Sequence, residues 1–208
     1  MPFVLVKTIQ VRLKEFLHFR TGVCISVNNE VIHGIPSKLV ILKEGDIVST
    51  DLTVYKDGFH ADASRTYIVG GKCAVCPEIS KLVDIAKQAF FEGIQFAKVG
   101  YRIGDISNAI GSFVQKNGFS VIEEFQGHGI GRNMHEEPGV PNDGVSGKGA
   151  RLSAGMCLAI EPMISMGLGA VEILDDGWTV VTKDDSLASH YENTILITEK
   201  EPEILTMF

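Results

Sequence analysis

The feature that most constrains this chain is a repeat of position. Leu42-x-x-Gly45-Asp-Ile-Val-x-x-Asp51 returns as Leu152-x-x-Gly155-Met-Cys-Leu-x-x-Glu161, with an acid six residues after the glycine each time. His-Gly-Ile precedes each copy, at 33–35 and at 128–130. In both halves the acid-bearing strand is followed by a returning strand with a second acid, Asp62 in the first half and Glu192 in the second. Self-similarity of this kind marks two copies of one supersecondary unit. The expected architecture is two related halves about a pseudo-twofold axis, with the acids converging between them.

The first copy is the easier to read. Ile47 to Tyr55 and Phe59 to Ile68 alternate in strand fashion around Lys56-Asp57-Gly58, a hairpin turn. Asp51 and Asp62 then lie on facing strands, in a run expected to be buried. A buried ionised carboxylate needs a cation or strong donors. Two at close range need it more, because like charges push one pKa up. From the hairpin alone, two solvent-facing carboxylates would read the same, so the rest of the chain decides.

With 208 residues, 45% of them hydrophobic, and a net charge of −7, the chain can bury a full core and lacks the basic surface of a nucleic-acid binder. The opening MPFVLVKTI is too short for a signal peptide, and no apolar run approaches a membrane span, which makes the cytoplasm the expected compartment. Cys73 and Cys76 form a lone C-x-x-C without further ligands nearby and read as a loop after the hairpin. Cys24 and Cys157 read as small buried hydrophobes.

Residues 1–21 carry two apolar segments of unassigned type. Val23 to Ile35 reads as a strand turning at Asn28-Asn29. A helix is expected from Pro77, with Ile79, Leu82, Val83, Ala86, Ala89 and Phe90 at helical spacing. A second is expected from Ile106 to Lys116, capped by Asp105 and stopped by Asn117-Gly118. Phe119 to Phe125 reads as a strand, and Gly127 to Arg132 as a glycine-punctuated stretch.

Asp51, Asp62, Glu161, Glu192 and His128 make an oxygen-rich set that suits Mn, Fe, Co or Zn. Four carboxylates balance two divalent cations, and a neutral cluster of that kind can hold a shared hydroxide. Two-metal centres acidify that water and clamp both nucleophile and carbonyl during amide hydrolysis.

From Val23 to its C-terminus the chain resembles the type I methionine aminopeptidases of the pita-bread fold. The landmarks are VCISVNNEVIHGIP, GDIVSTDLTVYKDGFHADASRTYIVG, GHGIGRNMHEEP, CLAIEPM and DGWTVVTKDDSLASHYENT, in that order. The resemblance implies an α+β pita-bread (creatinase/aminopeptidase) fold, two pseudo-twofold halves around a curved antiparallel sheet with helices on the outer face. One catalytic domain would fill residues 1–208, with an atypical, shortened segment at 1–21, a first half at 22–76 and a second at 77–208. The implied activity is removal of the initiator methionine from peptides or nascent chains near the ribosome when the second residue is small. Two divalent ions (Co, Mn, Fe or Zn) are implied, Asp51 and Asp62 holding one, His128 and Glu161 the other, and Asp62 and Glu192 bridging. Glu161 would move the proton, His135 would stabilise the oxyanion, and His33 would contact the substrate beside the scissile amide. Cys24, Met134 and Trp178 match the methionine side-chain pocket, with Phe16 and Phe19 as further candidates.

His18, His60 and His190 take no role in this reading. Glu136, Glu137, Glu172, Asp175 and Asp176 read as solvated faces or caps. Two departures from the family stand out: Glu192-Asn193-Thr194 replaces the usual Glu-His-Thr, and the first half lacks a helix pair before its strands. Strands around Ile25, Val31, Ile47 and Val54 are therefore expected to expose an apolar face and to promote self-association. The alternatives are an aminopeptidase P or prolidase of the same fold, and a binding protein that has kept the fold and lost catalysis.

Overall fold

The computed structural model describes residues 10–11 and 23–207, so the expectations for Phe16, His18 and Phe19 lie outside the described residues. In chain order the first half contains β1 (Gln10–Val11), β2 (Cys24–Val27), β3 (Glu30–Ile32), β4 (Ile47–Lys56) and β5 (Phe59–Ile68). Two helices follow, α1 (Pro77–Ile94) and α2 (Ile103–Lys116), then β6 (Ser120–Val121), β7 (Gly127–Gly129), β8 (Glu136–Val140) and β9 (Cys157–Ile160). The remainder is β10 (Met163–Ser165), β11 (Val171–Ile173), β12 (Val180–Thr182), β13 (Ala188–His190), β14 (Glu192–Leu196) and β15 (Glu203–Ile204).

The main antiparallel sheet runs β1-β4-β5-β14-β9-β7-β8, with β2 added on β4 and β15 on β14. Reading outward from the β5–β14 junction, β5-β4-β2 is matched by β14-β9-β7. This is the two-half arrangement expected from the repeat. The His-Gly-Ile echo, however, is not part of it. His128 lies opposite Ala159, two residues before Glu161, and the matching place two residues before Asp51 is Ser49, opposite Ser26. His33 falls beyond β3, in a different register from His128.

Local chemistry accounts for the elements. Asp57 and Gly58 both take positive φ, 51° and 90°, which is the two-residue turn that matches strand twist in a hairpin. The resulting register sets Thr53 opposite Asp62 and Asp51 opposite Ser64. Helix α1 buries Leu82, Ala86, Ala89 and Phe90, and α2 buries Ile106, Ile110 and Val114, all in one cluster with Leu158, Ile160 and Ile195. Each of the leucine, isoleucine, valine and phenylalanine side chains contributes about 1.5–3 kcal/mol. The helices cross closely at Gly93, where a Cβ would stand 2.7 Å from Ile110 Cγ1. Because strand side chains alternate, the residues packed under the helices leave Glu161, Glu192 and Thr194 for the opposite face.

Several expectations need correction. Helix α2 begins a turn early, at Ile103, with Arg102 at its N-cap; Asp105 is its third residue and accepts the Arg102 backbone N–H at 2.8 Å. The strand expected over Phe119 to Phe125 is only Ser120–Val121, because Glu123 and Glu124 turn out into solvent. The expected exposure fails at Val31 and Ile47, each 1% exposed: Val31 packs with Ile32, Ile122, Met163 and Val180, and Ile47 joins the helix cluster. Ile25 and Val54 are half-buried. The exposed apolar side chains are instead Leu39, Val40, Ile41 and Leu42 of one loop and Leu52, Phe59 and Tyr67 of the hairpin. Cys73 and Cys76 are exposed and unpaired beside a short 3-10 turn after β5. Among the described residues, no helix is long and apolar enough to cross a membrane.

Candidate metal centre

Five adjacent strands supply the five expected ligands. Asp51 on β4 lies opposite Ser64 on β5, and Ser64 lies opposite Glu192 on β14, so the two acids flank one serine across three strands. Asp62 sits one step along β5, Glu161 directly follows β9, and His128 is the centre of β7. Ligand atoms of Asp62, His128 and Glu192 all lie within 4.8 Å of one another. Glu161 Oε1 stands 3.7 Å from His128 Nε2. Asp51 and Asp62 lie close enough for each carboxyl to shift the other.

The electrostatics are those of a cluster awaiting positive charge. Burial first, then repulsion from Asp62, holds Asp51 well above the usual carboxylate range. Burial first, then Asp51 and Asp62, does the same to Glu161; Glu192 is raised by burial and by all three other acids. Asp62 is raised by burial against the pull of its donors, the Thr53 hydroxyl at 2.7 Å and the Ala63 N–H at 3.0 Å. Among the described residues, no lysine or arginine forms an ion pair with any of the four. Burial lowers His128, leaving it neutral; its Nδ1 contacts the Gly129 carbonyl at 2.8 Å, which puts the proton there and leaves the Nε2 lone pair for the cluster. Hard oxygen donors with one imidazole, buried together with no ion-paired lysine or arginine among the described residues and only Arg65 pulling against the rise at Glu192, fit divalent cations.

The other expected site residues lie around this cluster. His135 is exposed in the cleft, its ring 4.3 Å from that of His128, and it feels the charge of Asp62. His33 stacks on Trp178 at 4.6 Å and meets the edge of Phe125 at 6.1 Å. Burial and the neighbouring His135 push His33 down to about 4, so it is a neutral imidazole. Cys24 packs against Trp178, and burial together with Asp51 and Asp62 pushes its thiol far up, which makes it an inert apolar wall. Met134 is buried with its Sδ 3.9 Å from Thr53 Oγ1, which brings it beside Asp62. Asp176 accepts from the N–H groups of Trp178 and Thr179 and so builds the turn that holds Trp178, in line with a capping role. His60 packs on the Tyr55 ring.

Sequence reasoning missed four participants. Thr53 and Thr194 orient Asp62, the latter by accepting its N–H at 2.8 Å and donating to its carbonyl at 3.0 Å. Phe125 supports His33. His190, read as an ordinary histidine, sits with Nε2 3.6 Å from Glu161 Oε2 and 3.9 Å from Glu192 Oε2. Burial, with His33 adding to it, pushes His190 down to about 3. For Thr53 a signal existed, since it follows Asp51 by two residues and must share its face.

Comparison with known proteins points the same way. Metallopeptidase family M24 matches residues 5–199. The chain is 54% identical over 194 residues to a methionine aminopeptidase of Clostridium perfringens, covering 93% of this chain and 76% of that one. It is 44% identical over 193 residues to methionine aminopeptidase 1 of Bacillus subtilis, with 93% and 76% covered. The crystal structure of methionine aminopeptidase from Thermotoga maritima aligns with a TM-score of 0.93 at 44% identity, over 96% of this chain and 79% of that one. A prolidase from Pyrococcus horikoshii, at 22% identity and a TM-score of 0.69, shares the fold over 89% of this chain and 47% of its own.

Proposed function

Because the chain belongs to metallopeptidase family M24, among its methionine aminopeptidases, we propose that its cleft holds two divalent ions, Asp51 and Asp62 on one, His128 and Glu161 on the other, with Asp62 and Glu192 shared. The chain is a metal-dependent aminopeptidase that releases N-terminal methionine, and the family requires a divalent metal. The observation that carries the finer reading is the set of four cleft carboxylates with no ion-paired lysine or arginine among the described residues, adjoining a wall of sulfur and aromatic rings. Mn, Fe, Co and Zn all accept this donor set. When bound, such ions polarise the scissile carbonyl and acidify the attacking water.

The remaining work falls to side chains. Cys24, Met134 and Trp178 form the wall against which an unbranched thioether packs, a favourable contact for sulfur and aromatic faces. Neutral His33, stacked on Trp178, is placed to hydrogen-bond the substrate beside the scissile amide. His135, exposed in the cleft, donates to the carbonyl oxygen as negative charge develops there. Glu161 takes the proton released as water attacks the carbonyl carbon and returns it to the departing amide nitrogen. Its raised pKa suits both transfers.

The test is hydrolysis of a Met-Gly-Ser peptide before and after chelation. Loss of methionine release on chelation, with recovery complete at two equivalents of Mn or Co, supports the reading. Undiminished hydrolysis in excess chelator sinks it. Met-Ala, Met-Leu and Leu-Ala peptides then test the pocket, and equal rates on all three would refute it.

The compartment and partners follow from the substrate: an initiator methionine arises at translation, which sets the reaction in the cytoplasm at nascent-chain ends leaving the ribosome. Self-association is the second proposal on partners, favoured by Leu39 at 92% and Ile41 at 73% exposed and by the exposed Leu52, Phe59 and Tyr67. Sedimentation at several concentrations tests it; a single concentration-independent monomer overturns it.

A further inference from the structure

One buried side chain faces the acids without belonging to the ligand set. His190 ends β13 at 1% exposed, and among the described residues neither ring nitrogen has a hydrogen-bond partner. Leaving a polar ring orphaned in the interior is costly, which a leucine at this place would not be. Its main chain is anchored: the Thr66 hydroxyl accepts from the His190 N–H at 3.0 Å and donates to the His190 carbonyl at 2.8 Å. The strand pairing of His190 with Met163 adds a second tether. The ring therefore has little freedom, and its Nε2 points between Glu161 Oε2 at 3.6 Å and Glu192 Oε2 at 3.9 Å. Facing two carboxylate oxygens, Nε2 carries the proton.

Both oxygens of Glu161 are thereby spoken for in opposite senses. Oε1 faces His128 Nε2 at 3.7 Å, on the ligand side, and Oε2 faces His190. We propose that His190 is a positioning residue for Glu161: its Nε2–H donates to Oε2, fixes the carboxylate plane and leaves Oε1 for the ion and the proton. A closing of about half an ångström brings Nε2 within hydrogen-bond length of Oε2. Partners behind a metal ligand of this kind govern affinity by about 10–100-fold. The inference rests on the two-ion reading of the cleft.

The test compares H190Q, H190N and H190L with the wild type by calorimetric titration with Co(II), by melting of the metal-free proteins, and by kcat and KM on a Met-Gly-Ser peptide. Glutamine can bring an amide N–H to the place of Nε2, whereas asparagine is too short. Expected are near-normal ion affinity and kcat in H190Q, and losses of about 10–100-fold in both H190N and H190L, with KM unchanged. Metal-free H190L should melt no lower than the wild type, since an orphaned polar group has been removed. H190N keeps the test open if H190L fails to fold. Wild-type affinity in H190N and H190L overturns the proposal. So does a loss in H190Q as deep as in H190L, which would make His190 a ligand itself. A wild type that binds no Co(II) would refute the two-ion reading instead, so the two failures are distinguishable.

Discussion

Glu161 and Asp62 show how differently the cleft treats two carboxylates of the same cluster. Among the described residues Glu161 accepts no hydrogen bond at normal length, and burial and its neighbours hold it far above the ordinary range. Asp62 is held lower by the Thr53 hydroxyl and the Ala63 N–H. The first is suited to accepting a proton, the second to remaining an anionic ligand. E161Q should therefore lower methionine release by at least about 10²–10⁴-fold and weaken one of two Co(II) equivalents in calorimetry; retention of wild-type turnover would remove Glu161 from the chemistry. T53V should leave the fold intact and weaken ion binding by about 10-fold, as a partner behind a ligand does, again read by Co(II) titration. The four proposed acid ligands were legible in the sequence because strand alternation and the repeat both point at them; His128 came from the family resemblance, since its His-Gly-Ile echo is out of register. His190 was not, because Ser189-His190-Tyr191 carries no pattern, and only the packing of β13 turns its ring toward Glu161.

At the scale of elements, β14 lies at the junction of the halves, and its departure from the family pattern falls on the side away from the ions. Asn193 is fully buried, and its Oδ1 accepts from Arg65 Nη2 at 2.7 Å and Thr206 Oγ1 at 3.0 Å. The same guanidinium lies over the Tyr191 ring at 4.5 Å and donates to the Glu192 carbonyl. Asn193 thus clamps β5 to β14 through Arg65, next to the last ligand. N193A should cost about 1–3 kcal/mol, seen as a lowered melting temperature, while N193H, whose ring can still accept one of these bonds, should cost less. Equal melting of all three proteins would show that the clamp is idle. The hairpin and both helices were readable because each has a local signal, Asp57-Gly58 in the turn and apolar spacing in the helices. The short strands β10 to β13 were not, since runs of three residues have no period to detect and their pairing is set by distant partners such as Val180 with Ile32.

For the whole molecule, the two halves were visible from the acid six residues after each glycine, but the His-Gly-Ile echo was coincidental in register, which only the strand pairing could decide. Two halves meeting on buried acids make folding and ion binding one equilibrium. The sign of the pH effect follows from the shifts. A carboxyl whose folded pKa is raised contributes stability fully present below its unfolded value, about 4, and lost as pH rises through the folded value. Asp51, Asp62, Glu161 and Glu192 all act in this sense. The histidines act oppositely: His33, His128, His135 and His190 are lowered, so their contribution is complete above about pH 6.5 and is lost as pH falls toward their folded values. The thiol of Cys24 is raised and acts like the carboxyls, but only above about pH 8.5. Above about pH 6.5 and below about pH 8.5 the histidines and Cys24 fall silent, so the raised carboxyls set the sign of any slope. In that window the melting temperature of the chelated protein should fall, while that of the Co(II)-loaded protein should hold or rise, because each proton lost frees a ligand oxygen. The gap between the two should widen with pH and narrow toward pH 5, where protons compete for the same oxygens. Calorimetric melts of both forms at pH 5, 6, 7 and 8 measure it. A gap that is constant across this range, or a chelated protein that gains stability from pH 7 to 8, would mean that the four carboxyls do not titrate with folding.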